Sequence, residues 1–549
     1  MQLYRVCDDL TEPVIYLMAL FSPWAFGTTQ PWSIWTMNCA GYTLGVLLAV
    51  KLAIRRLKGY HPPRWGLMDH QTTGPRDHQT TGIPSSRSPV VPSSGSPSPS
   101  RSPVVPLSGS PSPFRSPVVP WSRSLVVFTT AILGYCLVSA LNARSTWHPN
   151  ELSFAYHQYI KWLPHSFDST KTWVAFWSYL ALACSFWALR DWLLGKSSGE
   201  QRAEHQARQR SEVGDRRSGR TSDLGPLTSD LCVPARLRRL LWLLAVNGAL
   251  LGLESIAQRL EGSGKLLFIV KPQVNPAGET QFGPYAYRAN ASQYFNLLWP
   301  VCLGFWWTLQ RASGFKRKTH HLLLVCGVIM AACPIISTSR GGALVTVGIA
   351  GAAAFFLVIS HWFIAARRQE DLPARRMTLA LLLLFFVASI SLGYWLGWKQ
   401  LKPRMAQIVE GFADREEMYE RARPMAADFP LFGTGPGTFE PVFQLYRIST
   451  ETYWPAQLHN DWLETRITFG WAGSALIALA FAAVALRWFV PGGIHGGRRF
   501  IILIWLAVAG CLVHARFDFP FQIYSIVFLF LIVCALLSVL SRRAGSGKR

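Results

Sequence analysis

The sequence predicts an all-α polytopic membrane protein of about 12 transmembrane helices, with one large outer loop of short helices. Three observations carry this. Apolar runs of about 17–25 residues recur along the whole chain, the length that crosses a hydrocarbon core about 30 Å thick. Charged residues make up 15% of the 549, against roughly 25% in soluble domains, while half the chain is hydrophobic and includes 23 Trp and 32 Phe. Lys and Arg gather in particular loops, as topology signals do. The spans must be helices, because an open sheet leaves backbone polar groups unpaired in lipid.

The formal charge of +24 invites a nucleic-acid reading. No basic stripe with interleaved aromatics lies on a soluble segment, so no nucleic-acid partner is expected. The ten Cys sit mostly inside apolar runs and form no C-x-x-C pair, so no zinc or iron–sulfur spacing is present, and none falls in the outer loops, so no disulfide is expected there.

In chain order, the first two spans cover about 11–27 and 32–54, within an N-terminal unit 1–58. Asp8, Asp9 and Glu12 precede no small-residue cleavage site, so the first run is expected to stay as a helix. Lys51, Arg55, Arg56 and Lys58 mark the cytoplasmic side. Residues 59–122 have no apolar periodicity. Asp-His-Gln-Thr-Thr-Gly stands at 69–74 and again at 77–82, and Ser-Pro-Val-Val-Pro recurs at 88, 102 and 116. This predicts a disordered, partly polyproline II cytoplasmic linker. Residues 123–194 hold two spans and an outer loop with His148, His157 and His165, which lack tight metal-ligand spacing. A charged loop at 195–239 returns the chain to the cytoplasm. Residues 240–398 hold five spans, broken at Ser337-Thr-Ser-Arg-Gly-Gly342. The large outer loop is 399–465, and 466–549 holds three further spans and a basic tail. With both termini inside, every basic cluster falls on the cytoplasmic face. The segments around Arg288, Arg340, His459 and Asp518 then all face the other compartment.

Those segments carry the candidate chemistry. An arginine at a membrane helix end is costly unless it snorkels or meets an anion. Arg288 lies in Gly283-Pro-Tyr-Ala-Tyr-Arg-Ala-Asn290, and Arg340 precedes two glycines at a helix start, where N–H groups favour an oxyanion. Two such guanidiniums can clamp a diphosphate through forked hydrogen bonds. His459 is the one histidine of the large outer loop. It can take a proton from a hydroxyl near neutral pH, with Asp461 or Glu464 to orient it. Asn460 and Asp461 are helix-start residues. Gly433-Thr-Gly-Pro-Gly437 reads as a tight turn, because Pro436 removes a donor and no Gly-Lys-Ser/Thr follows. Asp518 reads as a partner for an arginine. No D-x-D, H-E-x-x-H or P-loop is present, so no metal or other cofactor is expected.

Taken together, these residues resemble the O-antigen ligase / O-antigen polymerase family of membrane proteins. The resemblance covers about 240–540. It rests on Tyr287-Arg-Ala-Asn290, Ser339-Arg-Gly-Gly342, Arg415, Phe429-Pro-Leu-Phe-Gly-Thr-Gly-Pro-Gly-Thr-Phe439, His459-Asn-Asp-Trp-Leu-Glu464 with Gly470, and His514-Ala-Arg-Phe-Asp518. It implies a GT-C-like fold and transfer of a glycan from undecaprenyl diphosphate to lipid A-core on the periplasmic face of a bacterial inner membrane. Arg288, Arg340 and Arg415 would bind the diphosphate. His459 would activate the acceptor hydroxyl, supported by Asn460, Asp461, Glu464 and Asp518. A polymerase or a protein oligosaccharyltransferase fits the same motifs. A small-anion transporter, the alternative of another class, should show mid-span charges and paired broken helices; the sequence has few mid-span charges, with Glu254 near a span end, and no clear inverted repeat.

Overall fold

Each long apolar run is a helix because, away from water, only the i→i−4 ladder satisfies a backbone within one segment. A computed structural model of the chain describes residues 2–64, 120–203, 205–206, 233–273, 275–313, 319–365, 372–446, 456–486 and 498–543. The repeat-bearing linker from 65 to 119, the charged loop from 207 to 232 and the basic residues at 316–318 and 367–368 lie outside the described residues.

The N-terminal half supplies α1 (Gln2–Trp24), α2 (Pro31–Leu57), α3 (Pro120–Leu141), α4 (Ser169–Leu194) and α5 (Ala235–Glu261). Then follow α6 (Arg288–Ser313), α7 (Leu322–Ile336), α8 (Arg340–Ala365) and α9 (Leu372–Gly393). The expected end of this last span near 398 is overrun. A wide helical turn at Tyr394–Trp398 leads on into α10 (Lys399–Ala406). The wide turn lies where Gly397 rests on the end of α7, and a Cβ there would stand 2.7 Å from the Ile335 carbonyl oxygen. The last membrane-facing helices are α13 (Asp461–Ala485), α14 (Arg498–His514) and α15 (Tyr524–Arg543). Among the described residues, eight helices are long and apolar enough to cross a membrane, and Arg499–His514 and Tyr524–Leu540 are shorter apolar helices. The chain is a multi-pass membrane protein.

The most buried helix is α6, which packs against α5, α7, α8 and α14. Phe295, Trp299, Phe305 and Trp306 along it are fully buried. Lipid tails are as apolar as these side chains, so their burial stabilises through close packing and not through water exclusion. Gly248 of α5 makes that packing possible, since a Cβ there would sit 2.5 Å from both Leu298 and Met330.

At one end of the bundle lies a small layer outside the helices. A hairpin of β1 (Ser145–His148) and β2 (Ser153–Tyr156), with Ser145 opposite Tyr156, was not foreseen from the sequence. Beside it run α11 (Ile408–Asp428) and the short α12 (Phe439–Phe443). These share a second apolar core made by Phe167, Tyr419, Met425, Phe439, Leu458 and Ile467. The glycine-rich segment is a tight turn, with Gly433, Gly435 and Gly437 all at positive φ. It is bonded to a break in α13 at Gly470 (φ 60, ψ −167). There Trp471 and Ala472 donate to the Pro430 and Leu431 carbonyls, both at 3.0 Å, and Thr434 and Gly435 donate to Ile467 and Thr468, both at 2.9 Å.

Candidate active site

Three helices, α6, α8 and α13, begin on this same face, and their starts are set by local chemistry. Ser339 caps α8 by accepting from the Gly342 N–H at 3.1 Å, and Asn460 caps α13 by accepting from the Leu463 N–H at 3.2 Å. Just ahead of each cap stands a non-glycine residue in the left-handed region, Thr338 (φ 61) and His459 (φ 58). A β-branched residue is a true outlier there, and strain of this kind persists only where the surroundings hold it. At His459 the holder is Tyr419, whose hydroxyl donates to the His459 carbonyl at 2.7 Å.

His459 is one-fifth exposed at its side chain, and its Nδ1 lies 3.1 Å from Asp518 Oδ1. Its ring stands edge-on to Phe519 (4.7 Å between centroids) and Tyr287 (5.7 Å), which stack on each other. The orienting carboxylate is therefore Asp518 and not Asp461 or Glu464. Asp461 accepts from the Phe521 N–H at 2.7 Å and from Gln522 at 3.1 Å, tying α13 to the segment before α15. Glu464 accepts from the Leu458 N–H at 2.8 Å and fixes the loop that carries His459.

Asp518 is the hub. Its other oxygen accepts from the Tyr287 hydroxyl at 3.3 Å and lies 3.8 Å from Arg415 and 3.9 Å from His514 Nε2. Burial would raise its pKa, but His459, Arg415 and His514 outweigh that and hold the carboxyl below its usual range. Arg415 feels the reverse balance. Burial pulls it down, and Asp518 and Tyr287 more than restore it, so it stays above its ordinary value. Arg415 also donates to the Phe517 carbonyl and, at 3.2 Å, to Tyr287. Burial, with the Asp518 charge behind it, pushes the Tyr287 phenol up, so it serves as a neutral donor.

Next to this hub opens a cavity of about 510 Å³. Arg288, Arg340, Arg404 and Arg415 line its polar end, with Tyr287, His514 and Asp518. Its walls are apolar, from Leu344, Val345 and Ile349 of α8 and Leu506 and Val513 of α14. Arg340 donates to the Gln407 carbonyl at 2.6 Å and Arg288 to the Glu279 carbonyl, so each keeps donors to spare. The starts of α6 and α8 add their partial positive charge to the same end. The arrangement can therefore hold a strongly anionic group with an apolar tail, beside an imidazole whose Nδ1 is committed to a carboxylate.

The structure thus brings Arg288, Arg340, Arg415 and Asp518 to one cavity, with His459 adjoining it through Asp518. Asn460, Asp461 and Glu464 serve the loop and the helix start. Sequence reasoning passed over Arg404, and quoted Tyr287 and His514 within motifs without giving either a role. His514 is fully buried, with Nδ1 2.7 Å from Gln293 Oε1, and a Cβ on Gly341 would lie 3.3 Å from its Nε2. A polar histidine at the end of an apolar run was the available signal.

Residues 325–478 match a family model described as O-Antigen ligase. The match includes Arg340, Arg404, Arg415 and His459, and leaves Arg288 and Asp518 outside it. No curated protein matches the chain.

Proposed function

We propose, from the match of residues 325–478 to a family model described as O-Antigen ligase, that the chain transfers a glycan from a polyprenyl diphosphate to lipid A-core. In this reading it crosses the inner membrane twelve times, as a GT-C-like fold, with the cavity open to the periplasm. The observation that carries it is the meeting of four arginines from separate segments at a cavity of about 510 Å³, beside the His459–Asp518 pair.

The chemistry needs little more. The diphosphate end of undecaprenyl diphosphate lies against Arg288, Arg340, Arg404 and Arg415. The Asp518 carboxylate holds the proton of His459 on Nδ1, which leaves the Nε2 lone pair for the acceptor. The acceptor hydroxyl oxygen attacks the anomeric carbon as its proton passes to Nε2. The bond from that carbon to the diphosphate oxygen breaks, and the departing negative charge is taken up by guanidiniums already in place. Asp518 stabilises the imidazolium so formed.

His459→Ala tests this directly. Assayed as purified protein with a lipid-linked glycan and a lipid A-core acceptor, it is expected to lose transfer while keeping its fold and its affinity for the donor. Full activity in that variant removes His459 as the base. A glycan lengthened on its lipid carrier, with none passed to lipid A-core, would assign the acceptor to the polymerase class.

A further inference from the structure

The opposite end of the bundle holds a second cavity, of about 530 Å³, where α1, α2, α4 and α5 come together. The 27 residues of α5 separate it from the catalytic end by about 40 Å. Its polar wall contains an ion-pair network with too few anions. Asp191 serves Arg55 at 2.7 Å, Arg64 at 2.8 Å and Lys51 at 3.3 Å. Asp8 serves Lys51, at 3.1 Å, and Arg236. Two carboxylates thus face four cations, and the Lys51 side chain has no exposure at all. The Nε atoms of Arg55 and Arg236 are buried with no hydrogen-bond partner. Arg5 and Arg202, both exposed, also line the cavity. Neither makes an ion pair among the described residues. Asp9, the third acid of the lining, makes no ion pair with these cations among the described residues, so four cations share two carboxylates, and partly buried positive charge short of counter-charge is costly.

We propose that this cavity binds a phosphate-bearing anion, either a lipid headgroup of the adjacent leaflet or free phosphate. Basic pockets between membrane helices on the cytoplasmic side take up anionic headgroups in this way. Tyr4 and Tyr60 of its lining can add hydroxyl donors. The placement at the cytoplasmic leaflet rests on the topology proposed above, whereas the binding does not.

The test uses the full chain and reads binding, so its outcome is independent of glycan transfer. Tm is followed in detergent against added inorganic phosphate, and in nanodiscs of phosphatidylcholine with or without phosphatidylglycerol. The double variant Arg5→Gln with Arg202→Gln removes two cations that the ion-pair network does not use. Arg238→Gln removes an exposed arginine of α5 that lies outside the cavity. A saturable rise in Tm is expected, with apparent Kd weakened roughly tenfold or more in the double variant and unchanged in Arg238→Gln. A rise with inorganic phosphate assigns the free ion. A rise only with phosphatidylglycerol assigns the headgroup. No rise with either probe, equal affinity in the double variant, or equal weakening in Arg238→Gln would overturn the proposal.

Discussion

Replacing Asp518 by Asn separates the charge behind His459 from its geometry. The asparagine oxygen can take the place of Oδ1, which now faces His459 Nδ1 at 3.1 Å and the Phe519 N–H at 3.1 Å. The amide NH₂ then faces the Tyr287 hydroxyl, which can accept as well as donate. The ring keeps its tautomer, and what is lost is the negative charge that greets the imidazolium. Two unit charges about 4 Å apart at an effective dielectric of about 20 interact by about 4 kcal/mol. The partial exposure of His459 and the remaining amide dipole reduce this to about 3–4 kcal/mol, or roughly 10²–10³ in rate. The assay is single-turnover transfer from lipid-linked glycan, with donor affinity measured separately. Donor affinity should not fall, because Arg415 loses an anion that competes for it. A kcat within about twofold of the parent, or a loss that lies wholly in donor KM, would refute the role given to Asp518.

Three further outcomes follow from the same geometry. Arg288→Lys and Arg340→Lys should each weaken donor binding about tenfold by titration, since a point charge cannot replace a fork already sharing one donor with a carbonyl. Gly470→Ala should cost at least ~2 kcal/mol and reduce the folded yield, because its Cβ would stand 2.3 Å from the Leu431 carbonyl oxygen at positive φ; an unchanged Tm would contradict this. The Asp518 carboxyl is held below its usual range. Its contribution to stability is therefore full above about pH 4 and lost as pH falls further. Thermal unfolding between pH 6 and 3 should show a steeper acid loss in the parent than in Asp518→Asn, and parallel curves would remove that contribution.

The helices were legible because apolar runs of membrane length leave the backbone one choice. Local punctuation was legible too. Asn460 caps its helix as an Asx residue ahead of an apolar run should, and the three glycines of 433–437 turn the chain where left-handed φ is needed. The hairpin was hidden, since Ser145–His148 and Ser153–Tyr156 show no clean alternation and are held by tertiary contacts, with Arg144 set over the Phe167 ring. The partner of His459 was hidden for another reason. Asp518 stands 59 residues downstream, and Asp461 and Glu464 are nearer in sequence but face other donors. Arg404 was missed because the apolar signal of α9 fades near Trp398 while the helix itself continues, carrying the arginine into the cavity wall.

The exchange of backbone bonds at Gly470 has a mechanical consequence. A transmembrane helix there surrenders rungs of its own ladder and lends them to the strap at 430–435, so strap and helix form a single welded joint. A strap fastened in this manner does not lift like a flap. The apolar walls of the cavity, from α8 and α14, stand apart from that joint; in the function proposed above, the polyprenyl tail of the donor runs between them.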